Sequence, residues 1–252
     1  MDDLRLAAEL VRDAGTLAAR MLGDGLTTHY KTSVSDVVSA ADHAAEELVV
    51  TRLRKERPQD GLVGEEGSAS PGARTWYIDP VDGTYNFLSG IPYWCSALAL
   101  TDEAGPVLGA IYYPAANELW LGGRDHPTTC NGVSVPRLPD TPLSQLSLST
   151  HIQPAKTGDR ERREMFLATL RPAATMRMLG SSSIDLAYVA GGRLGVFLQA
   201  QSLPWDWYPG VALVSAAGGV GEVVEQDSIR WHVAGNRQAV AEMKAILTRQ
   251  AP

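Results

Sequence analysis

Apolar residues recur at helical spacing over residues 4–22, where Leu6, Leu10, Leu17 and Met21 stand among alanines and Asp2 or Asp3 is placed to cap an amphipathic helix. A second helix is predicted over about 39–57. Ala44, Leu48, Val49 and Leu53 form its apolar stripe, and Pro58 stops it. Asp42 falls in the first turn of that helix, where a carboxylate is more often a dipole partner or cap than a chemical group. From 61 to about 135 the pattern shortens to strand-length runs at 62–63, 76–78, 97–100, 107–113 and 118–121, separated by Gly, Pro and Asp. These runs predict a largely antiparallel sheet.

The proline-rich, polar stretch 136–142 is the expected boundary between two subdomains, 1–138 and 139–252, that together form one compact unit. Beyond it, strand candidates at 144–149 and 195–198 alternate with helical ones at 159–170 and 184–190, the pattern of an α/β layer. A further helix is expected at 209–217, with Pro209 in its first turn and glycines at its end. The last helix runs from an Asn236 cap to about residue 249. Residues 150–159 read as a mobile loop.

Composition narrows the classes. With 252 residues, 44% apolar and 20% charged, the chain can bury a sizeable core. It has no uncharged apolar run of about 18 residues that could span a membrane. Its first residues lack the basic stretch, apolar core and small-residue cleavage site of a secretory signal, which points to the cytoplasm. Cys95 and Cys130 are too few and too far apart for a disulfide framework or a zinc site, and reduced thiols are expected. The histidines show no paired spacing, which argues against a transition-metal site. A formal charge of −7 argues against nucleic-acid binding, which relies on basic residues, but not against a small phosphate ester, since a bound cation reverses the local charge.

The segment Trp76-Tyr-Ile-Asp-Pro-Val-Asp-Gly-Thr-Tyr-Asn-Phe87 carries the chemistry. Asp79 and Asp82 end an apolar run just before a Gly83-Thr84 turn. Hard carboxylate oxygens suit Mg²⁺, which binds one or two carboxylates and takes other ligands from water and substrate phosphate. Gly83 has no Cβ to hold an anion off the backbone, and Thr84 adds a hydroxyl and an N–H. Asp-Gly is also a common turn dipeptide, so the segment alone is compatible with an ordinary strand end. Glu65 and Glu66, in a glycine-flanked loop, and Asp206, expected just before a helix, are each weak alone; a solvated loop and a helix cap explain them. Together with Asp-Pro-Val-Asp-Gly-Thr they form a constellation.

With these motifs the chain resembles the inositol monophosphatase family of Mg²⁺-dependent, Li⁺-sensitive phosphatases. Gly64-Glu65-Glu66, Asp79 to Thr84, and Trp205-Asp206 followed by Gly210 and Ala216-Ala217-Gly218-Gly219 match its three ordered motifs. Lys31 and Asp42 match its early lysine and aspartate, and Arg177-Met178-x-Gly180-Ser181 is similar to an actinobacterial subgroup. The resemblance implies an α/β (α+β) fold, a layered α-β-α-β-α sandwich of the sugar-phosphatase type, assembled as a homodimer. It implies two or three Mg²⁺ ions per site. Glu65, Asp79, Thr84 and the Val81 carbonyl would surround the first. Asp79, Asp82 and Asp206 would hold the second, and Glu65 would reach a third through water. The Gly83 and Thr84 N–H groups would bind phosphate, Asp42 with Thr84 would orient or deprotonate the attacking water, and Lys31 would tune the field. Asp82, Ser181, Ser182, Gln199 and Asp206 would meet the substrate.

The expected activity is hydrolysis of inositol monophosphate, or a similar small polyol phosphate, by metal-activated water without a covalent intermediate. Gln199 stands where the family often has a glutamate, which makes an ammonium-bearing substrate such as histidinol phosphate less suited. Relatives acting on histidinol phosphate, fructose 1,6-bisphosphate or a 3′-phosphonucleotide give the alternative within the enzyme class. A catalytically weak, ligand-binding regulatory paralogue is the alternative outside it. Trp207-Tyr208 places bulk where the family has small residues; core packing is the favoured role for Trp207.

Overall fold

The structure is a computed structural model that describes residues 1–23, 34–152, 158, 160–226 and 228–248. Helix α1 (Asp3–Gly23) starts where Asp2 accepts the Arg5 N–H at 2.8 Å, and it buries Leu6, Leu10 and Ala14 along one stripe. Helix α2 (Val34–Glu56) begins earlier than the predicted start near 39, so Asp42 lies beyond its first turn and is not a first-turn partner of the dipole. Valine, serine and aspartate cost only about 0.5 kcal/mol each in a helix interior, too little to delay the start.

Eight strands form the first sheet, in the order β2-β1-β3-β4-β5-β6-β7-β8. They are β1 (Gly61–Gly64), β2 (Ala69–Ser70), β3 (Thr75–Asp82), β4 (Cys95–Asp102), β5 (Gly105–Tyr113), β6 (Glu118–Gly123), β7 (His126–Cys130) and β8 (Val133–Ser134). Pairing is antiparallel except where β1 runs parallel to β3. Each predicted strand in this region is present; β2, β7 and β8 are too short or too polar to stand out in the pattern. Between β3 and β4 lies helix α3 (Thr84–Leu88).

The second sheet has five strands, β9 (Ser147–Thr150), β10 (Thr175–Arg177), β11 (Val196–Ala200), β12 (Val220–Gln226) and β13 (Ile229–Gly235), ordered β10-β9-β11-β13-β12. It is interleaved with α4 (Arg160–Leu170), α5 (Ser182–Ala190), α6 (Pro204–Ala216) and α7 (Arg237–Leu247), the last capped by Asn236 as predicted. Helix α6 corrects the expected 209–217. Pro204 occupies its first position, where a missing N–H costs nothing, and Pro209 is interior. Asp206 is therefore inside the first turn rather than ahead of the helix.

Three apolar layers hold these elements together. Leu6, Leu10, Leu53, Trp76 and Leu98 pack α1 and α2 onto one face of the first sheet. Ala97 and Ile111, on the opposite face by the two-residue alternation of strands, join Ile184, Leu213 and Phe197 around α5 and α6, between the sheets. Leu148, Leu198, Trp231, Val240 and Met243 pack the second sheet against α7, with Phe166 of α4 alongside. The result is the α-β-α-β-α sandwich implied by the resemblance. Each such aliphatic side chain contributes about 1.5–3 kcal/mol on burial. Cys95 and Cys130 are unpaired. Among the described residues no helix is long and apolar enough to cross a membrane.

Candidate active site

Two residues of the same strand three positions apart normally face opposite sides of a sheet. Asp79 and Asp82 do not, because β3 bulges between them: Asp79 pairs with Ala97 but Asp82 pairs with Cys95, so the longer stretch of β3 spans a shorter stretch of β4. Pro80 sits in the bulge, where it has no N–H to lose, and its carbonyl accepts the Ser96 hydroxyl at 2.5 Å. The bulge brings one oxygen each from Asp79, Asp82 and Asp206 to within 4.8 Å of one another. Asp206 reaches this point from α6, and its carboxylate also accepts the Leu203 N–H at 3.4 Å.

Beside the bulge the chain turns at Gly83. Its φ of 103° and the close approach of a hypothetical Cβ to the Tyr93 carbonyl, at 3.0 Å, both require glycine. The backbone conformation and the packing against Tyr93 and Trp94 are thus a further reason for glycine at this turn. The Thr84 hydroxyl donates to the Val81 carbonyl at 3.2 Å, which pairs the two groups assigned to the first ion. Asp82 is held from across the molecule, by the Ser181 hydroxyl at 2.9 Å and the Ser183 N–H at 2.5 Å, both at the start of α5. Ser181 also accepts the Ile184 N–H as the α5 cap, so its hydroxyl is engaged inside the protein.

Glu65 stands on the β1–β2 loop. Its N–H donates to the Ile78 carbonyl at 3.1 Å, next to Asp79 along β3, and its carboxyl hydrogen-bonds Asp79. Glu66 points elsewhere, to His43 at 3.2 Å. Asp42 is buried on α2 and faces Glu46, Glu65 and Glu66; both its oxygens lack a partner among the described residues. Lys31 lies outside the described residues, as does much of the 150–159 loop.

Enclosing so many carboxylates without a cation is unfavourable. Burial, then the charges of Glu66, Glu65 and Glu46, pushes Asp42 up to about 8. Burial with Asp82 and Glu65 pushes Asp206 up to about 8, and burial with the surrounding acids raises Glu65 to about 7. Asp79, fully enclosed, is raised well above the carboxylate range by burial and then by Glu65, Asp82, Asp206 and Asp42. Asp82 is raised by burial despite its donors. One Asp79 oxygen has no partner among the described residues. A hard divalent cation satisfies both conditions, supplying the missing partner and neutralising the cluster, so the donor set fits the ion expected from the sequence.

A cavity of about 460 Å³ opens from Asp206 toward the second sheet, with Gln199, Trp231, Arg162 and Arg163 in its wall. The Ser182 hydroxyl donates to the Gln199 side-chain oxygen at 3.0 Å, so these two expected substrate contacts form a pair at its side. Trp207 is core, 6% exposed between Phe197 and His232, and Tyr208 packs on Tyr77, so neither narrows the cavity. Sequence reasoning missed Glu46, Ser183, Arg162, Arg163 and Trp231. Of these only Glu46 left a signal, four residues after Asp42 on the same helical face.

A layered sandwich whose carboxylates converge beside a backbone turn at a strand end defines a metal-dependent phosphatase. Residues 2–249 match the inositol monophosphatase family. The inositol-1-monophosphatase of Rhizobium meliloti is 33% identical, covering 99% of this chain and 97% of that protein. A fructose-1,6-bisphosphatase/inositol-1-monophosphatase of Thermotoga maritima is 32% identical over 87% of this chain and 84% of its own. The crystal structure of inositol monophosphatase-II from Staphylococcus aureus shares the fold, with a TM-score of 0.85 at 21% identity over 96% of this chain and 94% of that one. The chain belongs to the inositol monophosphatase family, and it is a phosphoric monoester hydrolase.

Proposed function

We propose that the enzyme hydrolyses inositol monophosphate or a similar small polyol phosphate with two or three Mg²⁺ ions per site. The observation that carries this reading is the convergence of Asp79, Asp82 and Asp206 beside the Gly83-Thr84 turn. Glu65, Asp79, Thr84 and the Val81 carbonyl are assigned to the first ion, Asp79, Asp82 and Asp206 to the second, and Glu65 through water to a third. Such ions supply charge neutralisation for the phosphate and activation of a water. The Gly83 and Thr84 N–H groups hold the phosphate oxygens. Asp42, whose oxygens have no partner among the described residues, orients the attacking water with Thr84 and accepts its proton. Ser181 acts through Asp82, while Ser182 and Gln199 meet substrate hydroxyls. Lys31 is assigned its tuning role from the family resemblance alone. Li⁺ sensitivity, a homodimer, a cytoplasmic location and the 1–138/139–252 division belong to the same proposal. The division is supported by the first sheet ending at Ser134 and the second beginning at Ser147.

A second reading is favoured by Arg162, Arg163 and the indole N–H of Trp231, which has no partner among the described residues, in the cavity wall. Guanidinium groups suit a second anion, so fructose 1,6-bisphosphate or a 3′-phosphonucleotide fits better than histidinol phosphate. Phosphate release from inositol 1-phosphate, glycerol 2-phosphate and these three esters, with Mg²⁺ and with chelator, tests both. Mg²⁺-dependent turnover preferring inositol 1-phosphate supports the first reading, and preference for the doubly anionic esters supports the second. Binding without turnover by folded, metal-loaded protein overturns both in favour of a regulatory ligand-binding role.

A further inference from the structure

The loop that carries Glu65 is closed around a single side chain. Every N–H from Gly64 to Ser68 has an acceptor: Gly64 donates to the Ser68 carbonyl at 2.7 Å, Glu65 to Ile78 at 3.1 Å and Gly67 to Gly64 at 3.2 Å. The remaining two, of Glu66 and Ser68, both go to Glu46, at 2.9 and 3.0 Å, one to each carboxylate oxygen. Glu46 comes from α2 and is 2% exposed. Gly64 lies flat against its carboxylate: a Cβ there would fall 2.3–2.5 Å from all three of its terminal atoms. Neither glutamine nor aspartate reproduces this. Glutamine turns an N–H₂ toward a backbone N–H, and aspartate is one methylene short.

We propose that Glu46 is a positioning residue for the cation site, folding the β1–β2 loop around its carboxylate so that Glu65 is aimed at Asp79. Asp42 and Glu46 lie one turn apart on α2, so one helix presents both the group that faces the reacting water and the group that shapes the loop. The negative charge of Glu46 also lies behind the site without taking up a coordination position, and it favours a bound cation. Deleting it leaves two loop N–H groups unpaired and lets Glu65 leave its place. The inference rests on the reading of Glu65 as a cation ligand, and the experiment separates the two.

Mg²⁺ and Mn²⁺ affinity is measured by calorimetry on the parent, Glu46→Gln, Glu46→Ala and Glu65→Gln, alongside the Mg²⁺ dependence of phosphate release and metal-free thermal melts. The expected result is a 10–100-fold weaker cation affinity in both Glu46 variants, the range for second-layer partners of a metal site, with kcat partly restored at saturating Mg²⁺. Gly64→Ala, which displaces the carboxylate, is expected to follow them. A role confined to stability lowers the melting temperature but leaves the affinity of the folded protein in place. Affinity within twofold of the parent in folded Glu46→Gln and Glu46→Ala overturns the inference while Glu65→Gln is weakened. An unweakened Glu65→Gln overturns both the ligand reading and the route through it.

Discussion

Asp79 has an enclosed carboxylate, a pKa raised far above its usual range and one oxygen without a partner among the described residues. Such a group destabilises the cation-free fold, and the proposed role of Asp79 as a cation ligand accounts for that cost. Asp79→Asn removes an ionisable carboxyl from the most crowded point of the cluster and keeps the shape. It is expected to abolish turnover while raising the stability of the chelated protein, because the repulsion from Glu65, Asp82 and Asp206 is relieved. Turnover and denaturant unfolding in chelator check the pair of effects. Normal activity, or a less stable variant, counts against the assignment. Asp82 differs, because donors from Ser181 and Ser183 oppose the upward push of burial on its carboxyl.

At the scale of elements, α5 acts on the site through its N-terminal end. Ser181 caps the helix and donates to Asp82, so Ser181→Ala is expected to cost about 1 kcal/mol of stability as a lost cap. It is also expected to weaken cation affinity about 10–100-fold as a lost partner of a ligand. Ser182→Ala, which unpairs Gln199, is expected to shift KM for substrate and leave cation affinity in place. A common effect of the two variants on KM alone defeats this division of labour. Strands β1, β3, β4, β5 and β6 and the carboxylate motifs were legible because each is written within a few adjacent residues. The bond from Ser181 to Asp82 was not, since it spans 99 positions and exists only once α5 is packed between the sheets. The start of α6 was misread because Pro209 met the rule for a first-turn proline as well as Pro204 did. Asp42 was found through the family motif, but its burial away from the first turn of α2 was not visible in the helical pattern.

Across the whole molecule the site draws on α2, the β1–β2 loop, the end of β3 and α6, elements from three layers of the sandwich. Occupying it therefore ties the layers to each other, and its effect on stability is global. In the cation-free fold Asp42, Glu65 and Asp206 titrate near 8, 7 and 8, against about 4 in an unfolded chain. Between about pH 4 and 8 the folded state then holds more protons than the unfolded one, so the stability of chelated protein falls as pH rises through that window. A cation competes with those same protons, so its contribution has the opposite sign and grows with pH. At 100 times its dissociation constant a ligand adds about 2.7 kcal/mol, roughly 5–10 °C in Tm for a chain of this size. Calorimetry is expected to show chelated protein melting higher at pH 6 than at pH 8. A fixed Mg²⁺ concentration then raises Tm more at pH 8, in a single transition. An equal shift at both pH values removes the proton competition, and a split transition removes the coupling between layers.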